Sequence, residues 1–213
     1  KLVAQLQKEG GHLATPEQKE MLRKAMWDGE RHRTVETVAI APQALAKIAG
    51  FEIPADRKFI MVHGDGIGKE HHFSGEKLTT LLALYRYESF DQALAMMRGV
   101  YEVGGKGHSC GIYSFDQDHI HRLAMAAPVS RIMVRQPQSK ANAGAFNNGM
   151  PMTSSLGCGT WGGNIISENV HLKHYMNTTW VSVPIKEDKP SDEELFGDFY
   201  DPALEGVVET ITT

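Results

Sequence analysis

Two positions in this sequence combine a reactive side chain with a setting that could use it. His108 stands between Gly105-Lys106-Gly107 and an apolar run that opens at Ser109-Cys110, where a helix hands over to a strand. An imidazole at such an edge can take a proton from a thiol or polarise a carbonyl. The competing account is a histidine hydrogen-bonded for packing, and position alone does not separate the two. Glu76 follows Gly75 and precedes Lys77-Leu78 and an apolar strand, which puts a carboxylate near a sheet end, the edge where α/β folds take ligands. Its two acceptor oxygens suit the paired hydroxyls of a ribose. The plainer account is an ion-paired surface glutamate.

The thiols are weaker candidates. Cys110 lies within an apolar β-run, where a free cysteine packs as a small hydrophobe. Cys158 is flanked by Gly157 and Gly159, so its backbone can approach a ligand, yet no histidine lies near it in sequence to activate the sulfur. Gly64-Asp65-Gly66-Ile67-Gly68 follows a strand as a phosphate loop would, but His71-His72-Phe73-Ser74-Gly75 comes next and no helical pattern begins. Without a helix N-terminus the phosphate-binding amides are missing, so the stretch reads as a turn. Among the 10 histidines, His63, His71 and His72 cluster and His171 and His174 are spaced i, i+3. No cysteine pair or HExxH motif accompanies them, so surface histidines and no metal site are expected.

These side chains sit on a chain of 213 residues with net charge −4, the size of one α/β domain or of a domain with an arm. Its composition, 41% hydrophobic and 23% charged, is that of a globular protein. No run of about 18 apolar residues occurs, which excludes a membrane-spanning helix. No basic stripe offers phosphates a partner, which argues against nucleic acid. Two cysteines exclude a disulfide scaffold and make a reducing cytoplasm the default. The chain opens Lys1-Leu2-Val3 and reads as the middle of something longer.

Helices and strands alternate along it. Leu2, Val3 and Leu6 mark a helical face stopped at Gly10-Gly11. Thr15-Pro16-Glu17-Gln18 supplies an N-cap, a proline at the first helical position and a capping-box partner for a helix to about Trp27. Thr37 to Ile40 reads as a short β-run, and Pro42 to Ala49 as a helix closed by Gly50. Lys58 to Val62 and Leu81 to Tyr87 read as strands. Ser-Phe-Asp-Gln then occurs twice, at 89–92 and 114–117, each time after a strand and each time with Ser as the expected cap and Gln three residues on. The second copy follows a strand at His108 to Tyr113, and Arg131 to Arg135 adds another. Strand–helix repetition at this spacing predicts parallel crossovers with helices covering the sheet.

Residues 139–164 are rich in Gly, Asn, Ser and Thr and end in the loop from Ser155 to Asn164. A loop this long is functional or disordered, and Phe146 and Trp161 are expected to anchor it in the ordered form. Thr178 to Ile185 is a β-rich run that closes the sheet or leaves as an arm. From Lys186 onward the net charge is −7, and Pro184 just before it with Pro190 and Pro202 within it punctuate what has the character of a loosely ordered acidic extension.

Three segments, GEKLTTLLALYRYESFDQAL (75–94), GGKGHSCGIYSFDQ (104–117) and SSLGCGTWGGNIISENVHLKH (154–174), together resemble the second half of a CoA-acylating aldehyde dehydrogenase. The likeness extends to the aldehyde dehydrogenase part of bifunctional alcohol/aldehyde dehydrogenases and to acylating sulfoacetaldehyde dehydrogenases, over about residues 1–185. It implies an αβα layered catalytic domain of the aldehyde dehydrogenase fold, with a mostly parallel sheet and a C-terminal oligomerisation strand. The organisation it suggests is a catalytic lobe at 1–164, an oligomerisation arm at 165–185 and the acidic extension at 186–213.

The resemblance also implies a reaction in which an aldehyde, CoA and NAD or NADP give an acyl-CoA and the reduced dinucleotide through a cysteine thioester. Glu76 would hold the nicotinamide ribose, with Leu78 beside it in the cofactor site. His108 would assist CoA or the thioester step. The loop Gly157, Cys158, Gly159, Thr160, Trp161, Gly162, Gly163 and Asn164 would border the substrate pocket, and Thr178 to Ile185 would join a homodimer or higher homo-oligomer. By this alignment the attacking cysteine precedes Lys1 and neither Cys110 nor Cys158 replaces it, so the chain alone is expected to be inactive. The alternatives are a hydrolytic, CoA-independent aldehyde dehydrogenase, a nonenzymatic module that keeps only an assembly surface, and a chain in which Cys158 has taken over as nucleophile. A sulfonate-bearing aldehyde would want a cationic clamp, for which Arg135, Lys140 and Lys173 are candidates.

Overall fold

The computed structural model describes residues 1–204. They divide into two compact units, Lys1–Tyr175 and a second from Met176 onward. The first unit runs α1 (Leu2–Lys8), β1 (Gly11–Leu13), α2 (Pro16–Met26), α3 (Pro42–Ala49), β2 (Phe59–His63), β3 (Leu81–Leu84), α4 (Phe90–Gly104), β4 (Cys110–Ile112), α5 (Gln117–Ala126), β5 (Ile132–Val134) and α6 (Gln138–Ala141). All strand pairs are parallel, in a three-stranded sheet of order β1-β2-β3 and a two-stranded sheet of β4 and β5. This is the α/β architecture expected from the alternating pattern, with the strands shared between two ladders.

The central strand explains the first core. Ile60, Met61 and Val62 are fully buried on both faces of β2, as a strand flanked by parallel neighbours and covered by helices requires. Leu22 and Met26 of α2 and Leu45 and Ala46 of α3 pack on it with Trp27, Phe73 and Leu81. α2 begins where the sequence indicated: Thr15 accepts from the Gln18 amide and the Gln18 side chain accepts from the Thr15 amide, a complete capping box. α3 ends at Gly50, whose φ of 93° puts it in the left-handed cap that lacks steric cost only for glycine. A second core gathers Leu123, Ala127 and Val129 with Phe90, Leu94, Met97 and Tyr101 of α4 and Cys110, Ile112 and Ile132, so α4 and α5 cover the β4–β5 ladder.

Several expectations shift. Gly10-Gly11 does more than stop a helix, since Gly11 opens β1 against Phe59. Thr37 to Ile40 is not a strand. Val35–Thr37 forms a 3-10 turn, Thr37 is fully buried with its hydroxyl donating to the Thr34 carbonyl at 2.8 Å, and Ala39 has φ 55°. The two Ser-Phe-Asp-Gln copies start helices differently. At the first, Ser89 accepts from the Gln92 amide, while the Gln92 side chain accepts from Glu88. At the second the cap is Asp116, which accepts from the Asp118 and His119 amides; Ser114 instead accepts from the Asp116 amide. A carboxylate so placed takes two amides at once, which moves the helix start two residues along.

In the second unit Thr178 to Ile185 forms no strand; a strand exists only through its ladder, and none is made among the described residues. Trp180, Val181, Val183 and Ile185 of this run are exposed. α7 (Asp192–Phe196) follows, with a complete capping box between Ser191 and Glu194. The part of the acidic extension from 205 to 213 lies outside the described residues. Among the described residues no helix is long and apolar enough to cross a membrane.

Candidate active site

The first unit carries a cleft of about 570 Å³ whose walls include Glu76, Lys77, Tyr101, Lys106, His108, Ser109 and Gln138. Glu76 and His108, 32 positions apart in sequence, thus face one space. Glu76 enters from the loop before β3, which passes the C-terminal end of α4. A Cβ at Gly104 would stand 3.5 Å from the Glu76 amide nitrogen, ordinary contact, so the helix end and the loop are in register.

Lys77 shapes that loop from inside. Its ammonium donates to the carbonyls of Phe73 at 2.9 Å and Gly75 at 2.7 Å, while its own carbonyl accepts from Arg33 at 2.9 Å. Burial pushes the Lys77 amine down to about 8, the Arg33 charge pushes the same way, and Glu76 opposes both. A neutral amine keeps two N–H groups, enough for both carbonyls. The unfolded chain holds this proton up to about 10.5 and the folded chain up to about 8, so between those values the unfolded state binds more protons and stability rises with pH. Wild type should therefore gain on Lys77→Met as pH climbs through that window, by at most about 3 kcal/mol. Urea midpoints of the two proteins that run parallel with pH would contradict this.

His108 is held by a ladder. Gly107 bridges Val129 in parallel, with Gly107 accepting from the Ser130 amide and donating to the Pro128 carbonyl, and β4 pairs β5 just beyond. The strand alternation turns His108 outward and Ser109 inward. Beneath them lies a polar network. Ser109 Oγ is 2.6 Å from His108 Nδ1 and accepts from Gln138 Nε2 at 2.9 Å and Asn142 Nδ2 at 3.3 Å. Tyr101 donates to the Ser109 carbonyl at 3.0 Å. Arg131, only 5% exposed, donates to the His108 carbonyl at 3.0 Å and to Asn169 Oδ1 at 3.4 Å. Asn169, 2% exposed, donates to the carbonyls of Asn142 and Pro151 at 3.0 and 2.8 Å.

The glycine-rich loop backs onto this framework rather than lining the cleft. Gly107 has φ 102°, and a Cβ there would come within 2.5 Å of the Cys158 carbonyl oxygen, so only glycine allows the two backbones to meet. Gly157 and Gly159 are buried and Cys158 half-buried, while Thr160–Gly162 form an exposed 3-10 turn. The expected anchors do not anchor: Phe146 is 97% and Trp161 50% exposed. Order comes from polar groups instead. Gly157 and Gly159 amides donate to Glu168 and Ile166 carbonyls, Leu156 pairs Asn169, and Asn164 Oδ1 accepts from the Cys158 amide at 2.9 Å. Residues up to Tyr175 belong to the first unit.

The remaining candidates fall elsewhere. Leu78 is exposed, in a left-handed conformation of φ 44°, and its carbonyl accepts from the Ala39 amide at 2.7 Å; its side chain is not in the cleft wall. Cys110 packs in the second core as a small hydrophobe, and burial pushes its thiol up, opposed by the Tyr101 hydroxyl. Burial pushes the Arg131 guanidinium down while the Cys158 thiol beside it acts the other way. The stretch after Gly64 leads to a 3-10 turn at His72–Ser74 and to no α-helix. Arg135 donates to the Ser114 carbonyl and lies over the Phe115 ring, and Lys173 pairs with Glu168, so neither faces the cleft. The cations that do are Lys77 and Lys106. Sequence reasoning missed Ser109, Arg131, Gln138, Asn142 and Asn169. The one local signal was Ser109 beside His108.

No protein-family model matches the chain. It is similar to a sulfoacetaldehyde dehydrogenase of an Acholeplasma species, 39% identical over 203 residues, covering 93% of this chain and 42% of that protein. It is 31% identical over 187 residues to an aldehyde-alcohol dehydrogenase of Clostridium acetobutylicum, covering 85% of this chain and 22% of that protein. Among solved structures, an acetylating aldehyde dehydrogenase from Geobacillus thermoglucosidasius superposes with a TM-score of 0.81 at 32% identity, over 89% of this chain and 41% of that one. The chain spans about two fifths of the length of the sulfoacetaldehyde dehydrogenases it matches.

Proposed function

We propose that this chain, whose homologues are acylating aldehyde dehydrogenases, supplies the histidine and ribose-binding carboxylate of an enzyme that turns an aldehyde, CoA and NAD or NADP into an acyl-CoA. The observation that carries the reading is the convergence of Glu76 and His108 on one cleft, behind which the glycine-rich loop is packed.

In this reading the dinucleotide, when bound, accepts the hydride, and Glu76 contributes acceptor oxygens for the ribose hydroxyls. His108 serves the step in which CoA cleaves a thioester. Cys110 does not serve as the attacking thiol: it is half-buried in the second core with its thiol pushed up, which disfavours the thiolate a nucleophile needs. The loop from Gly157 to Asn164 backs the substrate cleft through the close approach of Cys158 to Gly107. The assembly arm is the exposed apolar run at 178–185, which would find its ladder on another copy, giving a homo-oligomer. The reaction belongs in the reducing cytoplasm, and this chain by itself is inactive.

The test is NADH or NADPH formation by the protein in its whole enzyme, with and without CoA. Turnover that does not depend on CoA would sink the acylating reading in favour of a hydrolytic one. Glu76→Gln is expected to lower kcat/KM for the dinucleotide about 10-fold while the protein folds normally, because the amide replaces one acceptor by a donor. Wild-type kinetics in that variant would refute the ribose assignment.

A further inference from the structure

We infer that Ser109 is a positioning residue that fixes His108 as the neutral imidazole protonated on Nε2, so that the ring edge facing the cleft donates a hydrogen bond and does not take a proton. Its catalytic meaning rests on the function proposed above; the tautomer does not.

The protons and lone pairs around Ser109 Oγ select the tautomer. Ser109 is buried, and three nitrogens surround its Oγ: His108 Nδ1 at 2.6 Å, Gln138 Nε2 at 2.9 Å and Asn142 Nδ2 at 3.3 Å. A hydroxyl has one proton to give and two lone pairs to fill. The orientation of the Gln138 amide is set by its second contact, because the same Nε2 lies 3.1 Å from the Ser109 carbonyl oxygen, which can only accept. Asn142 is buried beside it with its side-chain Nδ2 turned toward the hydroxyl, and its main-chain carbonyl is held by Asn169 at 3.0 Å. With Nδ2 so turned, these two amides fill both lone pairs. The hydroxyl proton then has one acceptor left, Nδ1 of His108, and Nδ1 must be bare to receive it. The opposite tautomer would aim three donors at two lone pairs and strand the hydroxyl proton in a buried site, which disfavours it about 10-fold or more.

The rest of the geometry agrees. The His108 main chain is pinned by Arg131 at its carbonyl and by the Gly107 bridge, so the ring swings from a fixed point. The ring is exposed, lines the cleft, and its Nε2 meets no hydrogen-bond partner among the described residues. An Nε2–H so placed polarises the thioester oxygen in the cleft while CoA, its thiol proton already lost to solvent, attacks the carbon as a thiolate and the enzyme's cysteine leaves as a thiolate, so no proton passes through the ring. A histidine acting as general base toward the thiol would need the other tautomer.

The tautomer is read from long-range proton–nitrogen correlation spectra of the histidine-labelled protein at a pH where the ring is neutral, with the His108 signals identified by their loss in His108→Gln. The expected pattern is Nε2-protonated in wild type and in Ser109→Thr, and a mixture in Ser109→Ala. Should Ser109→Ala fail to fold, Gln138→Leu, which frees one lone pair, takes its place. An Nδ1-protonated ring in wild type, or an unchanged pattern in whichever variant folds, overturns the inference. In the whole enzyme Ser109→Ala should lower kcat for the CoA-dependent reaction about 10-fold with KM for CoA little changed, and Ser109→Thr should restore it. Undiminished kcat in Ser109→Ala would remove the positioning role. Absence of any CoA-dependent turnover in wild type would strike the functional reading and leave the tautomer result standing.

Discussion

Asn169→Leu is expected to destabilise the protein by about 3–5 kcal/mol, read as a lowered urea midpoint. The side chain is 2% exposed and joins three partners, donating to the carbonyls of Asn142 and Pro151 and accepting from Arg131. Leucine fills a similar volume but leaves the buried Asn142 carbonyl, the part-buried Pro151 carbonyl and a guanidinium N–H without partners, and each buried orphan costs about 1–3 kcal/mol. Stabilities of single domains are about 5–15 kcal/mol, so the loss is a large share of the whole. Asn169→Asp should do no better, since it sets a carboxylate oxygen against two carbonyl oxygens and gains only a long contact to Arg131. A midpoint within error of wild type for Asn169→Leu would mean that the three hydrogen bonds are not formed together in solution.

His108→Ala should lower CoA-dependent steady-state turnover of the whole enzyme about 100-fold while the first burst of NADH falls by less than about 3-fold. On the function proposed above, the burst would report hydride transfer, and the steady state would add the CoA step assigned to the histidine. His108→Gln should be milder, about 10-fold, because an amide N–H can still donate to a carbonyl oxygen, though from a differently placed and less rigid side chain. Stopped-flow traces in which burst and steady state fall together would reject the assignment to the CoA step. A glutamine variant as poor as alanine would argue for proton transfer through the ring.

What the sequence disclosed and what it hid follow from the range of the interactions. Thr15 with Gln18, and Gly50 at φ 93°, are devices that act within a few residues, and both stand where they were expected. The same local logic failed at Ser114 because a stronger acceptor, Asp116, lay two residues on and captured two amides. Thr37 to Ile40 looked like a strand by residue type, yet the hydroxyl of Thr37 turned back to Thr34. Glu76 and His108 stood out through likeness to a family and through their flanking glycines. The residues that hold His108 did not, because Gln138, Asn142 and Asn169 lie in stretches without periodicity and meet Ser109 or Arg131 only across long sequence separations. Phe146 and Trp161 misled for a related reason: an aromatic residue in a loop suggests burial, whereas this loop is ordered by amides and carbonyls.

The clasp that Asn169 makes on Asn142 and Pro151 also bears on the order in which the chain folds. It closes loops of 27 and 18 residues with polar contacts alone, so little apolar burial draws those ends together early. The carbonyls it needs are presented only after α6 has formed behind the β4–β5 ladder, and Arg131, its third partner, belongs to that ladder's edge. Residues 142–170 would accordingly condense last, on a surface already built, and reopen first as one cooperative segment while β2 and its helices stay shut. His108 would then reach its working geometry at the final stage of folding, since Asn142 is one of the two amides that orient the Ser109 hydroxyl beneath the ring.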